Sequence, residues 1–203
     1  MKLLLISASP RIEKSQTFLL AKEVLNGCEN KESAEIIHLF KYKIEFCHHC
    51  ESCHRKILQC PLKDDVLIIL KMMLEADGII LATPNYINQV TGMMKTLFDR
   101  SSHFIHCLRL LGKYVAGVVS SGSGENKDVL SYLKHYANVC GAYYVGGVSA
   151  RAPVSKEALS QALKLGKRLS DAIKNKEEFT SQKKIIEERK KYFGRVIQAR
   201  KDE

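Results

Sequence analysis

A compact run of four cysteines is the part of the sequence with the clearest capacity for chemistry. The spacing is C-x2-C-x2-C-x6-C, closed by Pro61, and the four thiols belong to Cys47, Cys50, Cys53 and Cys60. Thiolates with two residues between them can converge on one metal centre, and this spacing with its final Cys-Pro is close to an iron–sulfur ligand run. Zinc and metal-free thiols are the alternatives, and three interspersed histidines, His48, His49 and His54, keep zinc open.

A second candidate site lies in the loop between the first predicted strand and the first predicted helix. Residues 2–7 form a short apolar run typical of a buried parallel strand, and residues 17–25 have helical periodicity. The loop carries hydroxyls, an amide and a cation, at Ser9, Arg11, Ser15, Gln16 and Thr17. Such groups at a helix N-terminus favour an anion, and because the glycine fingerprints of dinucleotide and P-loop sites are missing, the loop predicts a monophosphate site. The alternative is an ordinary loop in which Ser15 or Gln16 starts the helix.

Two further loops could complete a ligand site. The loop at residues 83–92 is polar, is rigidified by Pro84 and presents Tyr86, so a planar ring could lie against it with the Asn85 and Asn88 amides at the ring's polar edge. Packing of Tyr86 between loop and sheet is the alternative. The other loop, Ser121-Gly122-Ser123-Gly124-Glu125, is small enough for its backbone to approach a ligand closely.

The elements that must position these loops follow one repeated pattern of strand and then helix. The predicted strands cover residues 2–7, 34–40, 77–82, 113–120 and 142–148, and the predicted helices cover residues 17–25, about 65–74, 93–100, 127–138 and 155–173. This α/β pattern predicts a doubly wound five-stranded parallel sheet in the order 2-1-3-4-5. The cysteine run follows strand 2 at its carboxyl end, where open sheets place ligands. We interpret Cys28, Cys107 and Cys140, which lack x2 partners, as packing residues.

Length and composition fit one α/β domain with an appendage. The chain has 203 residues, of which 45% are hydrophobic and 27% charged. No apolar run reaches the ~18 residues that a membrane span needs, and the apolar stretch after Met1 is too short for a signal peptide. We therefore expect a cytoplasmic protein, in which seven cysteines are metal ligands, redox thiols or core residues rather than a disulfide framework.

The net charge of +10 raises the question of nucleic-acid binding. Lysines and arginines are spread along the chain, with some enrichment after Lys174, so we interpret them as a solvated basic surface and expect no nucleic-acid partner. Such a surface could attract an acidic electron carrier or an anionic ligand. Residues 176–203 form a basic amphipathic tail whose helical spacing is interrupted by Gly194. It could pack on its own domain, on a second subunit or on a membrane surface, and we prefer a second subunit.

Four motifs occur together in this order. They are Ala8-Ser9-Pro10-Arg11 with Ser15-Gln16-Thr17, then Cys47–Cys60 before Asp64-Asp65, then Thr83-Pro84-Asn85-Tyr86 with Lys95 and Asp99-Arg100, and finally residues 121–125. In this combination, residues 1 to about 175 resemble the iron–sulfur flavoproteins, within the NAD(P)H-dependent FMN reductases of flavodoxin-like fold. The first loop differs from the family's Gly-Asn-Thr ending at two positions, where Ser15 and Gln16 stand instead.

The resemblance implies a flavodoxin-like FMN-binding domain over residues 1–175, with a cysteine-rich loop at 46–63 and the helical tail as a C-terminal extension. FMN would be bound noncovalently, with its phosphate on Ser9, Arg11, Ser15, Gln16 and Thr17. Its ring would be lined by Pro84, Asn85, Tyr86 and Asn88, assisted by Ser121, Gly122 and Ser123. The resemblance also implies a [4Fe–4S] cluster on Cys47, Cys50, Cys53 and Cys60, and assembly as a homodimer or homotetramer.

The expected reaction is electron transfer between the cluster and FMN, with NAD(P)H or ferredoxin as the electron donor. The flavin's N5 carries the chemistry, so no catalytic side chain is required, and no acid–base pair or catalytic triad is evident. One alternative is a cluster-free NAD(P)H-dependent FMN or quinone reductase. Another is a nonenzymatic flavin-binding electron carrier or regulatory module that recruits a partner.

Overall fold

A computed structural model describes residues 1–199 and contains one five-stranded parallel sheet. Its strand order is β2-β1-β3-β4-β5, which confirms the predicted order. The strands are β1 (Leu3–Ser7), β2 (Glu35–His38), β3 (Gly78–Pro84), β4 (Tyr114–Ser121) and β5 (Tyr143–Arg151). All five residues of β1 are buried, because helices cover both faces of the parallel sheet. This burial explains why the strand is a continuous apolar run in the sequence.

Helices cover both faces of the sheet. They are α1 (Gln16–Gly27), α2 (Ser52–Arg55), α3 (Val66–Glu75), α4 (Gly92–Arg100), α5 (His103–His106), α6 (Lys127–Val139), α7 (Lys156–Lys174) and α8 (Thr180–Ala199). Helices α1 and α7 contribute Leu20 and Leu169 to the core on one face. Helices α3 to α6 contribute to the core on the other, which includes Ile69 and Leu97. The predicted doubly wound architecture is therefore confirmed.

Within the α/β domain, two strand ends and one cysteine differ from the sequence prediction. The second strand ends at His38, where a 3-10 turn over Leu39–Lys41 replaces its predicted last residues. The fifth strand runs beyond Val148 and contains a β-bulge opposite Val115 and Ala116. The interpretation of Cys107 as a packing residue is wrong, because it follows the short helix α5 and is exposed; Cys28 and Cys140 are buried as expected.

The C-terminal tail is one continuous helix as far as the described residues extend. Gly194 does not interrupt α8, so the predicted break is wrong. Gln182 is buried and accepts hydrogen bonds from Asn138 Nδ2 (2.6 Å) and the Tyr144 backbone N–H (2.7 Å). Its own amide donates to the Tyr144 carbonyl at 2.9 Å. The beginning of the tail therefore packs on its own domain.

The second half of the tail keeps the subunit hypothesis open. Ile185 and Tyr192, seven residues apart on one face of α8, are 42% and 56% exposed, so this apolar pair remains available to a second subunit. Residues 200–203 of the predicted tail lie outside the described residues. Among the helices of residues 1–199, none combines the length and the apolar character that crossing a membrane would require.

Candidate functional site

The predicted flavin loops meet at the carboxyl edge of the sheet. One cavity at this edge is lined by Ser9, Arg11, Ser15, Gln16, Thr17, Pro84, Asn85, Tyr86, Ser120, Ser121, Gly122 and Ala152. The set contains every residue predicted for FMN except Asn88 and Ser123. Three loops that are far apart in the sequence come together because β1, β3 and β4 are adjacent and parallel.

Hydroxyl groups hold the first loop against the sheet. Ser15 Oγ caps α1 by accepting hydrogen bonds from the backbone N–H groups of Thr17 (3.1 Å) and Phe18 (3.3 Å). Thr17 Oγ1 and Ser120 Oγ share a buried hydrogen bond of 2.7 Å, which ties the start of α1 to β4. The helix-start interpretation of Ser15 is thus confirmed, and the same geometry places the N-terminus of a twelve-residue helix at the cavity. The exposed Arg11 adds positive charge beside it.

Gln16 links the first loop to a segment that sequence reasoning missed. Its Oε1 accepts a hydrogen bond of 2.8 Å from the Val154 backbone N–H. Ala152, which precedes the segment's proline, lines the cavity. The prediction missed this contribution because it ended the fifth strand at Val148, before the strand reaches the shared edge. The side-chain oxygen of Gln16 therefore positions the loop, and its side-chain NH2 group is the part that could donate to a ligand.

The second loop forms a tight turn with an exposed apolar tip. Tyr86 and Gln89 exchange two backbone hydrogen bonds of 3.1 Å, and the two residues between them, Ile87 and Asn88, have φ values of 54° and 55°. This pattern is a two-residue hairpin turn. Tyr86 is 53% exposed, so it does not pack between loop and sheet, and that alternative is wrong. Ile87 is 99% exposed at the tip.

Asn85 connects the second loop to the third. Its backbone N–H donates to the Ser120 carbonyl at 2.9 Å, and its Nδ2 faces the Glu125 carbonyl, Asn126 Oδ1 and Asn88 Oδ1. The Glu125 carbonyl can only accept, so the nitrogen of the Asn85 amide is the end that faces it. Its Oδ1 is buried and has no hydrogen-bond partner within residues 1–199. A buried orphan acceptor at this position fits a bound group that brings an N–H donor.

The third loop is shaped by its own small residues. Ser121 Oγ accepts a hydrogen bond of 2.8 Å from the Gly124 N–H, and Gly124 has a φ of 88° that favours glycine. Arg151 Nε donates to the Gly122 carbonyl at 3.0 Å and braces the loop from β5. Ser123 is not among the lining residues of the cavity, and its Oγ lies 3.4 Å from Ser121 Oγ and accepts from the Glu125 N–H at 3.3 Å. Its predicted contact with a ring stays a prediction.

The four cysteines of the run lie in one surface segment, close enough for their thiols to affect one another's protonation. Cys47 and Cys50 are exposed, and Cys53 and Cys60 are half-buried. Burial raises the pKa of Cys53, and the neighbouring thiols, Cys60 foremost, raise it further. Their chemistry fits a cluster, since four thiols share one neighbourhood. In residues 1–199, however, no group of three or more His, Cys, Asp or Glu side chains has metal-holding geometry.

A buried ion pair attaches the two ends of the cysteine segment, near Glu45 and Cys60, to the end of α4. Arg100 and Asp64 form a bidentate pair, with distances of 2.5 Å and 3.0 Å, and both side chains are almost fully buried. Burial alone would raise the pKa of Asp64, but hydrogen bonds from Arg100 and the Glu45 N–H outweigh it and hold the pKa below its usual value. Arg100 also donates to the Glu45 carbonyl at 2.6 Å and to Cys60 Sγ at 3.4 Å. We call this arrangement the Arg100–Asp64 clamp.

The histidines in and around the cysteine segment differ in their surroundings. His48 and His49 are exposed beside the thiols, as expected for loop polarity. His54 instead stacks edge-on against His106 at 4.6 Å and shares a 3.4 Å hydrogen bond with Ser102. His103, on α5, is buried, and burial lowers its pKa to about 4. The cysteine segment is therefore seated on α4 and α5, an attachment that the sequence did not indicate.

Comparison with known proteins identifies the family. Residues 1–154 match the model of the NADPH-dependent FMN reductase family. An iron–sulfur flavoprotein of Methanocaldococcus jannaschii is 35% identical over 192 residues, covering 86% of this chain and 98% of the relative. An iron–sulfur flavoprotein of Archaeoglobus fulgidus is 40% identical over 123 residues, which is 60% of each chain.

A solved structure supports the same fold. The WrbA-like flavodoxin of Agrobacterium tumefaciens superimposes with a TM-score of 0.60 at 18% identity, covering 87% of this chain and 99% of the other. NADPH-dependent FMN reductases are FMN-dependent oxidoreductases, which confirms the enzyme class expected from the sequence and leaves the nonenzymatic alternatives unsupported. With its three loops at one sheet edge and its four-cysteine segment on α4 and α5, the chain belongs to the NADPH-dependent FMN reductase family and, within it, to the iron–sulfur flavoproteins.

Proposed function

We propose that the cavity at the carboxyl edge of the sheet binds FMN with its phosphate at the N-terminus of α1. Ser9, Arg11, Ser15, Gln16 and Thr17 would hold this phosphate, and Ser15 also keeps the helix end in place through its two capping bonds. The supporting observation is convergence, since residues from four loops line one cavity whose only cation, among the described lining residues, is Arg11. One arginine suits a single phosphate better than a pyrophosphate.

The isoalloxazine ring would lie against the second and third loops. Pro84, Asn85, Tyr86 and Asn88 would line it, assisted by Ser121, Gly122 and Ser123. The orphan Oδ1 of Asn85 supports this placement, because the ring's polar edge carries an N–H that can satisfy a buried acceptor. Tyr86 is half-exposed and can cover the ring without breaking a contact to the sheet.

We further propose that Cys47, Cys50, Cys53 and Cys60 hold a [4Fe–4S] cluster. Four clustered thiols supply the ligand set, and the N–H···S contact from Arg100 to Cys60 offers the positive charge that a cluster bearing four thiolates needs. The relatives named iron–sulfur flavoproteins support the same assignment. The thiols must draw together to ligate iron, and the exposed Cys47 and Cys50 are free of core packing that would oppose this.

The proposed reaction exchanges electrons between FMN and the cluster, with NAD(P)H or ferredoxin as the donor and a homodimer or homotetramer as the working form. When bound, FMN supplies two-electron chemistry at N5 and one-electron transfer to the cluster. The chain's own residues bind and orient: the capped α1 anchors one end of the cofactor and the Asn85 amide fixes the other. The Arg100–Asp64 clamp holds the cysteine segment next to α4. The cytoplasmic location stays a prediction.

Anaerobic purification followed by absorption spectroscopy and metal analysis tests both cofactors. The expected spectrum combines flavin bands with a broad brown absorbance, and the expected iron content is about four per chain, as four thiolates indicate. Zinc without iron would overturn the cluster assignment. Protein that neither retains nor rebinds FMN would overturn the flavin assignment.

A cluster-free NAD(P)H-dependent reductase is the second candidate. The observation that favours it is the absence of converged metal-holding geometry among the thiols of the described chain. Mixing the FMN-loaded protein with NADPH under anaerobic conditions separates the two. Rapid bleaching of the flavin in protein that contains no iron, even after reconstitution with iron and sulfide, would establish the second candidate and exclude the first.

A further inference from the structure

The tail helix α8 is connected to the cysteine segment through a row of three rings. Phe193, in the second half of α8, packs against the His106 ring with the ring centres 5.0 Å apart. His106 also meets the His54 ring edge-on, at 4.6 Å. His54 belongs to α2, the short helix that carries Cys53. Two ring contacts therefore join the C-terminal tail to the helix of a predicted ligand thiol.

The first half of α8 is fixed on the domain, so its second half has a defined position. Gln182 is buried by the hydrogen bonds described above, and Ile186, one turn further on, is also buried. Arg189 and Phe193 continue the spacing and are half-buried. Residues that recur every three or four positions share one face of a helix. Phe193 is thus brought to α5 by a helix face that is already packed.

The short helix α5 carries the ring that both partners contact. Phe104, within this helix, is fully buried and fixes it on the core. Ser102, the N-cap residue of α5, shares the 3.4 Å hydrogen bond with His54 Nε2. His54 therefore contacts α5 at two residues, by a hydrogen bond to Ser102 and by the ring contact with His106.

This attachment and the Arg100–Asp64 clamp hold different parts of the cysteine segment. The clamp acts near Glu45 and Cys60, toward the two ends. Leu58, beyond α2, packs against the core. Cys53 lies in the middle, on α2, and the contacts of His54 with α5 hold this part. A helix of four residues is too short to keep its place without such contacts.

We propose that α8 is part of the cysteine site, and that Phe193 and His106 are positioning residues that hold α2, and with it Cys53, on α5. The inference deepens the proposed function, since it rests on the assignment of Cys53 as an iron ligand. A metal centre needs ligands at defined positions, and the residues behind the ligands supply that order. The tail helix then supports the cluster without touching it.

Alkylation of the full-length, metal-free protein tests the positioning role without a cluster. The rate of iodoacetamide labelling at each cysteine is measured by mass spectrometry. His106→Ala removes the ring that both partners contact, so α2 opens more often and the half-buried Cys53 reacts faster. We expect an increase of about three- to tenfold, as loss of an aromatic contact implies. Cys60, which the clamp holds, should keep its wild-type rate.

Three further variants separate positioning from a general loosening of the fold. Phe193→Ala should accelerate Cys53 by less than His106→Ala does, because His106 still contacts His54. His106→Phe keeps a ring at this position and should restore nearly the wild-type rate. Lys191→Ala, which shortens an exposed side chain in the same turn of α8, is the matched control and should change no rate.

The reduction potential of the iron-loaded protein gives the second readout. Water stabilises the more highly charged reduced cluster, so release of α2, which exposes the Cys53 thiolate, should raise the potential in His106→Ala and leave it unchanged in Lys191→Ala. Unchanged Cys53 labelling or an unchanged potential in His106→Ala, or equal acceleration of Cys53 and Cys60, would overturn the proposal. Wild-type protein that never takes up iron would reject the cluster assignment, and the labelling would still decide whether α8 holds α2.

Discussion

The flavin loops and the cysteine segment are held to the rest of the molecule in different ways. The flavin loops are bonded to the sheet by buried groups, such as the Thr17–Ser120 hydroxyl pair and the Asn85 amide. The cysteine segment is largely exposed and is attached mainly at its base, by the Arg100–Asp64 clamp. A rigid site suits a cofactor that binds a preformed surface, whereas an adjustable segment suits thiols that must close around a metal centre.

The largest effect should come from breaking the clamp. Arg100→Met leaves the Asp64 carboxylate buried without its partner, which typically costs about 3–5 kcal/mol. We expect a loss of this size in the free energy of unfolding, measured by chemical denaturation. The double variant Arg100→Met with Asp64→Leu should recover most of it, because both charges are gone. A double variant as unstable as the single one would show that the pair does not act as a unit.

The clamp also predicts a dependence of stability on pH. Because the pKa of Asp64 is depressed in the folded state, the contribution of the pair is present above the unfolded carboxyl pKa of about 4 and is lost as the pH falls through the lower folded value. The stability difference between the wild type and Arg100→Met, in which Asp64 has lost the partner that lowers its pKa, should therefore shrink below that pH. Denaturation curves from pH 7 down to pH 3 measure it. A difference that grows on acidification would contradict the sign.

An intermediate effect should follow from the flavin loops. Thr17→Val keeps the side-chain shape but removes the hydroxyl, and it leaves Ser120 without its buried partner, at a cost of about 1–3 kcal/mol. We expect both the free energy of unfolding and FMN affinity to fall, as measured by denaturation and flavin fluorescence. Leu19→Ala, an exposed position of α1, is the control and should leave FMN affinity unchanged. Unaltered FMN binding in Thr17→Val would separate this loop from the cofactor.

The smallest effect should come from the tip of the second loop. Ile87 is fully exposed at a φ of 54°, an arrangement that costs a β-branched residue about 1 kcal/mol. Ile87→Asn should raise the unfolding temperature slightly, since asparagine tolerates this conformation and no contact is lost. Ile68→Asn, at an exposed position inside α3, should not. If Ile87→Asn lowers stability, the strain assigned to the tip is wrong.

The sequence was informative where chemistry and periodicity coincide. The buried strands and the loops that follow them were predictable, because apolar runs alternate with helical spacing and parallel strands bring their carboxyl ends together. The end of β5 was missed because Ser149, Ala150 and Arg151 are small or polar, and only pairing with β4 extends the strand. Ala152 was missed with it.

Long-range side-chain bonds were beyond the reach of the sequence. No repeated pattern in the sequence indicates the Arg100–Asp64 pair or the burial of Gln182 against β5. Each depends on one polar side chain that meets a partner far away in the sequence. Gly194 was assigned as a break on intrinsic propensity, but a single exposed glycine costs a helix only about 1 kcal/mol, which the rest of α8 offsets.

Joint analysis of FMN and iron in Cys53→Ser tests most directly whether the two regions are separate cofactor sites. The wild type, purified anaerobically, should contain about one FMN and about four irons per chain. Cys53→Ser should lose iron but keep FMN, and Cys107→Ser, which changes an exposed thiol outside the run, should keep both. Wild-type protein without iron after reconstitution, or loss of FMN together with iron in Cys53→Ser, would contradict the account.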